Sequence, residues 1–158
     1  MAATTMLPTN KLLQKLHVDY PELLFAPGED FMWSSRRRTV YYAPHEAADL
    51  LLLHELGHAI KAHEDFAFDI ELIAQEREAW DIARSHLAQT YEIVLDEELI
   101  ENALDTYRNW LHARSTCPTC DLTGIQTKTS TYVCVNCRCS WRPNDARRCA
   151  LRRYVKNN

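Results

Sequence analysis

Residues 47–63 read "AADLLLLHELGHAIKAH", and the fold turns on whether this run is one buried helix. Leu50–Leu53, Leu56, Ala59 and Ile60 cover most of a helical circumference. A helix over about 45–63, entered past Pro44, is therefore expected to be central. On such a helix His54 and His58 stand four residues apart, so both imidazoles project from one face and can bind one metal ion. Glu55 lies one step round, close enough to meet a water on that metal without being a ligand. Hydrolytic zinc chemistry needs this arrangement: the metal acidifies the water and the carboxylate takes its proton.

A catalytic zinc also needs a third protein ligand and an open fourth position. His63 reads as a solvated residue at the helix end, where a cationic side chain suits the dipole. Two carboxylates compete in "AQEREAWDIARSHL", residues 74–87, on a helix expected over about 69–90. Winding at about 100° per residue puts Glu76 amid the apolar face of Leu72, Ile73, Ala79, Trp80 and Ala83, and turns Glu78 towards the polar side. A carboxylate on a buried face is costly unless something pairs with it, and a zinc ion would. Glu76 is favoured as the third ligand, with Glu78 as the alternative.

Around this pair the chain reads as α+β. Thr9–Leu16 has the pattern of a short amphipathic helix, with Thr9 or Asn10 as N-cap. "YPELLFAPGED", carrying Pro21, Pro27 and Gly28, reads as turn and short extended chain. Phe31–Trp33 and Thr39–Tyr42 are rich in aromatic and β-branched residues and flank the polar turn Ser35–Arg37, which predicts a hairpin. A third long helix is expected over about 96–113, with Asp96, Glu97 and Glu98 at its start.

"HELGH" followed by "EREAWDIA" resembles the gluzincin metallopeptidases, and within them the ImmA/IrrE-type peptidases and the minigluzincins. The resemblance covers roughly residues 30–90 and implies a zincin-like fold with a small sheet before the HExxH helix. It implies a third ligand in a Glu-x-x-Ala-(Asp/Asn) pattern, which Glu76–Ala79 match. Trp80 stands where those families have Asp or Asn to brace a zinc histidine, and Asp81 comes one position late. The resemblance also implies a strand before the helix that pairs with an extended substrate. Thr39, Val40, Tyr41 and Tyr42 occupy that place, and peptide addition to a free strand edge is physically sensible.

"CPTC" at 117–120 and "CVNC" at 134–137 form two CxxC knuckles thirteen residues apart. Such a pair makes a closed tetrahedral four-cysteine zinc site on a small β-ribbon, which is structural and catalyses nothing. The segment between suits a hairpin with Gly124 in its turn. Cys139 is the alternative to Cys137, and Cys149 reads as a small packed hydrophobe.

Charge divides the chain: residues 1–114 hold 10 Lys/Arg against 20 Asp/Glu, whereas 115–158 hold 8 against 2. This break, with all six cysteines beyond it, predicts a metallopeptidase domain over 1–114 and a zinc ribbon with a basic tail over 115–158. Arg142, Arg147, Arg148, Arg152, Arg153 and Lys156, interleaved with Trp141 and Tyr154, suit single-strand nucleic acid. Docking of the tail on the acidic domain competes with that. An HExxH domain followed by a zinc ribbon is also similar in layout to the SprT-like proteases, which act on DNA-attached proteins. The expected protein is a cytoplasmic zinc endopeptidase without a membrane segment, carrying one catalytic and one structural zinc. His54, His58 and Glu76 hold the first, Glu55 is the base, and His86, Tyr107 or His112 is a second electrophile. The alternative is an inactive or latent regulatory protein that binds nucleic acid.

Overall fold

A computed structural model describes residues 6–145 and 151–156. Its class is α+β, with helices and two small sheets. Among the described residues no helix is long and apolar enough to cross a membrane. The chain forms two compact units: Met1–Glu64 with Gln75–Glu97, and Asp65–Ala74 with Glu98–Asn158.

In the first unit, helix α1 spans Asn10–Asp19 and buries Leu12 and Leu16. The Thr9 hydroxyl caps it by accepting the Leu12 N–H, and Thr9 in turn donates its own N–H and hydroxyl to Asp49. Strands β1 (Leu24–Pro27), β2 (Met32–Ser34) and β3 (Thr39–Tyr42) follow. β2 and β3 form the expected antiparallel hairpin, with Trp33 opposite Val40. The stretch read as mostly turn, however, supplies β1, which pairs parallel with β3. The sheet order is thus β1-β3-β2. β3 is the middle strand, hydrogen-bonded on both sides, with Thr39 and Val40 buried. The free edge expected along Thr39, Val40, Tyr41 and Tyr42 does not exist, and the outer edges belong to β1 and β2.

Helix α2 runs Ala48–Ile60, starting three residues later than expected because His45–Ala47 form a turn in which His45 Nδ1 accepts the Ala47 N–H. Leu50, Leu52, Leu53 and Leu56 are all buried, and the helix packs against β2 and β3. Helix α3 (Asp69–Ile82) approaches α2 at Gly57, where a Cβ would sit 2.5 Å from the Ala79 carbonyl oxygen. The helix expected over 69–90 is interrupted: a π-turn over Ala83–Leu87 separates α3 from α4 (Ala88–Tyr91). The Ser85 hydroxyl donates to the Asp81 carbonyl there, a side-chain bond that competes with the helical ladder.

The second unit contains the first turns of α3, most of helix α5 (Glu97–Ser115) and a four-stranded sheet. The strands β4 (Ile125–Lys128), β5 (Thr131–Val133), β6 (Ser140–Pro143) and β7 (Arg153–Val155) lie in sequence order. Tyr132 and Trp141 stack at 5.6 Å and, with Cys117 and Cys134, make the buried centre of this ribbon. Gly124 precedes the hairpin rather than turning it. A Cβ there would collide with the Trp141 ring, and the reversal falls instead at Thr129–Ser130, with Ser130 at φ 60°.

The units do not divide between residues 114 and 115. Buried Arg114 donates to Asp69 at 2.7 Å, Tyr132 donates to the same carboxylate at 2.7 Å, and Trp141 Nε1 donates to the Arg114 carbonyl. This network ties the end of α5 and the start of α3 to the ribbon. In the C-terminal segment, β7 joins the ribbon sheet beside β6.

Candidate metal centre

Two groups of side chains among the described residues are placed to hold a metal ion: His54, His58 and Glu76, and the four cysteines Cys117, Cys120, Cys134 and Cys137. In the first group α2 supplies both histidines and α3 the glutamate. His54 Nε2 lies 3.1 Å from Glu76 Oε2, His58 Nε2 lies 3.4 Å from Glu76 Oε1, and the two Nε2 atoms are 3.2 Å apart. All three residues are buried. Burial alone would raise the Glu76 pKa, but hydrogen bonds from His54 and His58, with their charges, outweigh it and hold the carboxyl at about 2. His58 shows the reciprocal balance: burial opposes its protonation, and Glu76 and Glu55 more than offset that. Two imidazoles and a carboxylate converging out of solvent favour a cation among them.

Glu55 lies beside this group, not in it, with Oε1 4.0 Å from His54 Nε2. Burial raises its pKa, only partly opposed by the charges of His54 and His58 and the Trp33 backbone N–H. A carboxylate so placed holds a proton more readily than an exposed one. Trp33 belongs to β2, so an outer strand of the sheet reaches Glu55.

The surroundings of the two histidines differ. The His54 ring stacks on Trp80 at 4.0 Å with planes 21° apart, while His54 Nδ1 and Trp80 Nε1 are buried without a hydrogen-bond partner among the described residues. A stacked indole therefore stands where the resemblance led one to expect a bracing Asp or Asn. Asp81 points elsewhere, pairing with Arg84 at 3.8 Å. On the other side, His58 Nδ1 is 2.8 Å from His63 Nδ1, and His63 Nε2 is 2.9 Å from Glu78 Oε2. His63 is not the solvated end residue expected of it, because its side chain is only 9% exposed. Glu78 is not a member of the converging group; the hydrogen bond to His63 holds its carboxyl below the usual range.

In the ribbon, Cys117 Sγ lies 3.5 Å from Cys137 Sγ, and Cys120 Sγ lies 3.5 Å from Cys134 Sγ. Burial opposes ionisation of Cys117, but the N–H groups of Thr119 and Cys120 and the neighbouring thiols bring its pKa down to about 6. Cys139, the alternative to Cys137, stays outside the cluster and packs against the ribbon centre. Cys149, Arg147 and Arg148 lie outside the described residues.

Of the three residues considered as a second electrophile, His86 is exposed, and Tyr107 and His112 belong to the second unit. Trp141 is fully buried, so it is not available to stack on a nucleic-acid base. Arg153 donates to the Thr116 carbonyl and Lys156 to the Thr131 hydroxyl. The contacts of His63 with His58 and Glu78 were not foreseen from the sequence, where the only signal was a position just beyond the helix. Compared with protein-family models, with curated proteins and with solved structures, the chain has no match.

Proposed function

We propose that the chain is a zinc-dependent endopeptidase of the gluzincin kind, with a zincin-like first unit and a second, structural zinc in its ribbon. The observation that carries this reading is a largely buried carboxylate, Glu55, its side chain 13% exposed, set beside a converging His-His-Glu group. Zinc suits both groups. A tetrahedron with bonds of about 2.0–2.1 Å has edges of about 3.3 Å, and the three donor pairs lie 3.1–3.4 Å apart. Bonds of about 2.3 Å to sulfur give edges of about 3.8 Å, against the observed 3.5 Å.

His54, His58 and Glu76 would hold the catalytic ion, leaving one position of a tetrahedron free. Bound there, zinc would supply Lewis-acid chemistry, lowering the pKa of a water and polarising a peptide carbonyl. Glu55 would accept the proton of the attacking water and return it to the leaving amine; its largely desolvated setting suits both halves of that transfer. The outer strand β2, which faces Glu55 through Trp33, offers an extended peptide a place to add. The ribbon's four sulfurs form a closed set, which leaves no position for a substrate.

Glu55→Gln keeps the size of the side chain and removes the base. Its zinc content should match wild type, while cleavage of a fluorescein-labelled casein should fall by about 100-fold or more. Cleavage at the wild-type rate would sink the reading.

A further inference from the structure

The end of α2 carries a feature that the proposed chemistry does not use. Ala62 has φ 52°, its N–H donates to the Ala59 carbonyl, and the next N–H, of His63, reaches back to the His58 carbonyl. This is a Schellman closure, in which the second residue past the helix end folds over the third-last. Here it brings His63 back over His58. The His63 carbonyl accepts from Trp33 Nε1 at 3.0 Å, which fixes the peptide from the β2 side as well.

With His63 neutral, the hydrogen bonds along this path run in one direction. The Glu78 carboxylate only accepts, so His63 Nε2 carries a proton and donates to it. His63 Nδ1 is then the bare nitrogen and accepts from His58 Nδ1–H. His58 Nε2, turned towards Glu76 and His54, would then give its lone pair to a bound ion, which takes the place of the proton it shares with Glu76 in the metal-free site. From these contacts we infer that His63 and Glu78 are positioning residues for His58: they fix its tautomer and ring so that Nε2 is presented to the metal ion. Among the described residues His54 Nδ1 has no such path, and its ring stacks on Trp80 instead. The inference rests on the proposed His-His-Glu metal site but not on its peptidase activity.

The test is zinc affinity of the full chain, by chelator competition with the cysteine site kept loaded, together with the visible spectrum of the cobalt-substituted protein. His63→Phe keeps a ring and removes both hydrogen bonds. His63→Gln keeps an acceptor for His58 and a donor for Glu78. Loss of an orienting partner typically weakens a metal site by about 10–100-fold; His63→Phe should fall in that range and alter the cobalt band. His63→Gln should recover most of the affinity and the wild-type band, and Glu78→Ala should lose several-fold. Wild-type affinity in His63→Phe overturns the inference, as does a folded His63→Gln no better than His63→Phe. Should His63→Phe fail to fold, Glu78→Ala, altered at a half-exposed side chain, decides, and unchanged affinity there overturns it. A wild-type chain that binds metal only at its cysteines overturns the underlying site reading and this inference with it.

Discussion

Ala62 sits in a left-handed conformation that L-residues adopt at a cost of about 1–2 kcal/mol. Glycine avoids that cost but surrenders about 0.4–1 kcal/mol through its freer unfolded chain. Ala62→Gly is therefore expected to stabilise by about 1 kcal/mol, seen as a higher urea midpoint at unchanged slope. The same alanine explains why the His63 contact was hidden in the sequence. A glycine at that position announces a helix closure, whereas "KAH" reads as an ordinary fraying end. Glu76 was legible for the opposite reason, because a lone carboxylate on an apolar helical face is costly without a buried cationic partner. Glu71 shows a further local device: its carboxylate accepts the N–H groups of Ala67 and Phe68 at the start of α3. Those bonds lower its pKa, so its ionised form stabilises the fold above the unfolded carboxylate pKa of about 4.3, and this is lost as pH falls through the lower folded value. Glu71→Gln retains an acceptor but no charge. Its destabilisation, followed by urea unfolding, should be present at pH 7 and shrink as the pH falls below about 4.3; a difference constant with pH would refute the assignment.

At the scale of elements, the contact of α2 with α3 decides how close the histidines come to Glu76. Gly57→Ala normally favours a helix by about 1 kcal/mol. Here the added methyl meets the backbone of Ala79, which cannot swing aside as a flexible side chain would. Overpacking of this kind costs about 1–3 kcal/mol, so the expected sign reverses. Gly57→Ala should lower the melting temperature and weaken metal binding at the His-His-Glu group while sparing the cysteines. A more stable variant would show that the helices part without penalty. The helices themselves were readable from apolar periodicity and the hairpin from its β-rich arms. β1 was not, because its residues lie among two prolines and a glycine, and its partner is a parallel strand beyond an intervening hairpin arm. Local propensity carries no information on such a pairing. Without β1, β3 looks like an edge and acquires a substrate role that its two neighbours exclude.

For the molecule as a whole, composition located a change in character near residue 115 but not the limits of the compact units. The charge break is real, yet Arg114, Asp69 and Tyr132 bind across it, and a pairing between residues 45 positions apart leaves no local trace. The four cysteines were plain from spacing alone, because tetrahedral sulfur ligation dictates that spacing. Their surroundings have a consequence for how long the ribbon stays folded. Its buried centre consists of Cys117, Tyr132, Cys134 and Trp141, so half of that centre is ligand to the proposed ion. Little apolar material remains to hold the strands once the ion leaves, and folding there becomes a mass-action equilibrium. Each tenfold rise in free zinc above the dissociation constant should then add about 1.4 kcal/mol to ribbon stability. Buffering zinc over several decades while following Trp141 fluorescence should shift the unfolding midpoint in step with the logarithm of its concentration. A midpoint that ignored the buffer would mean that the strands hold without the ion. On the expected outcome, the second unit has no fixed stability of its own: it reads out the free zinc of whatever solution surrounds it.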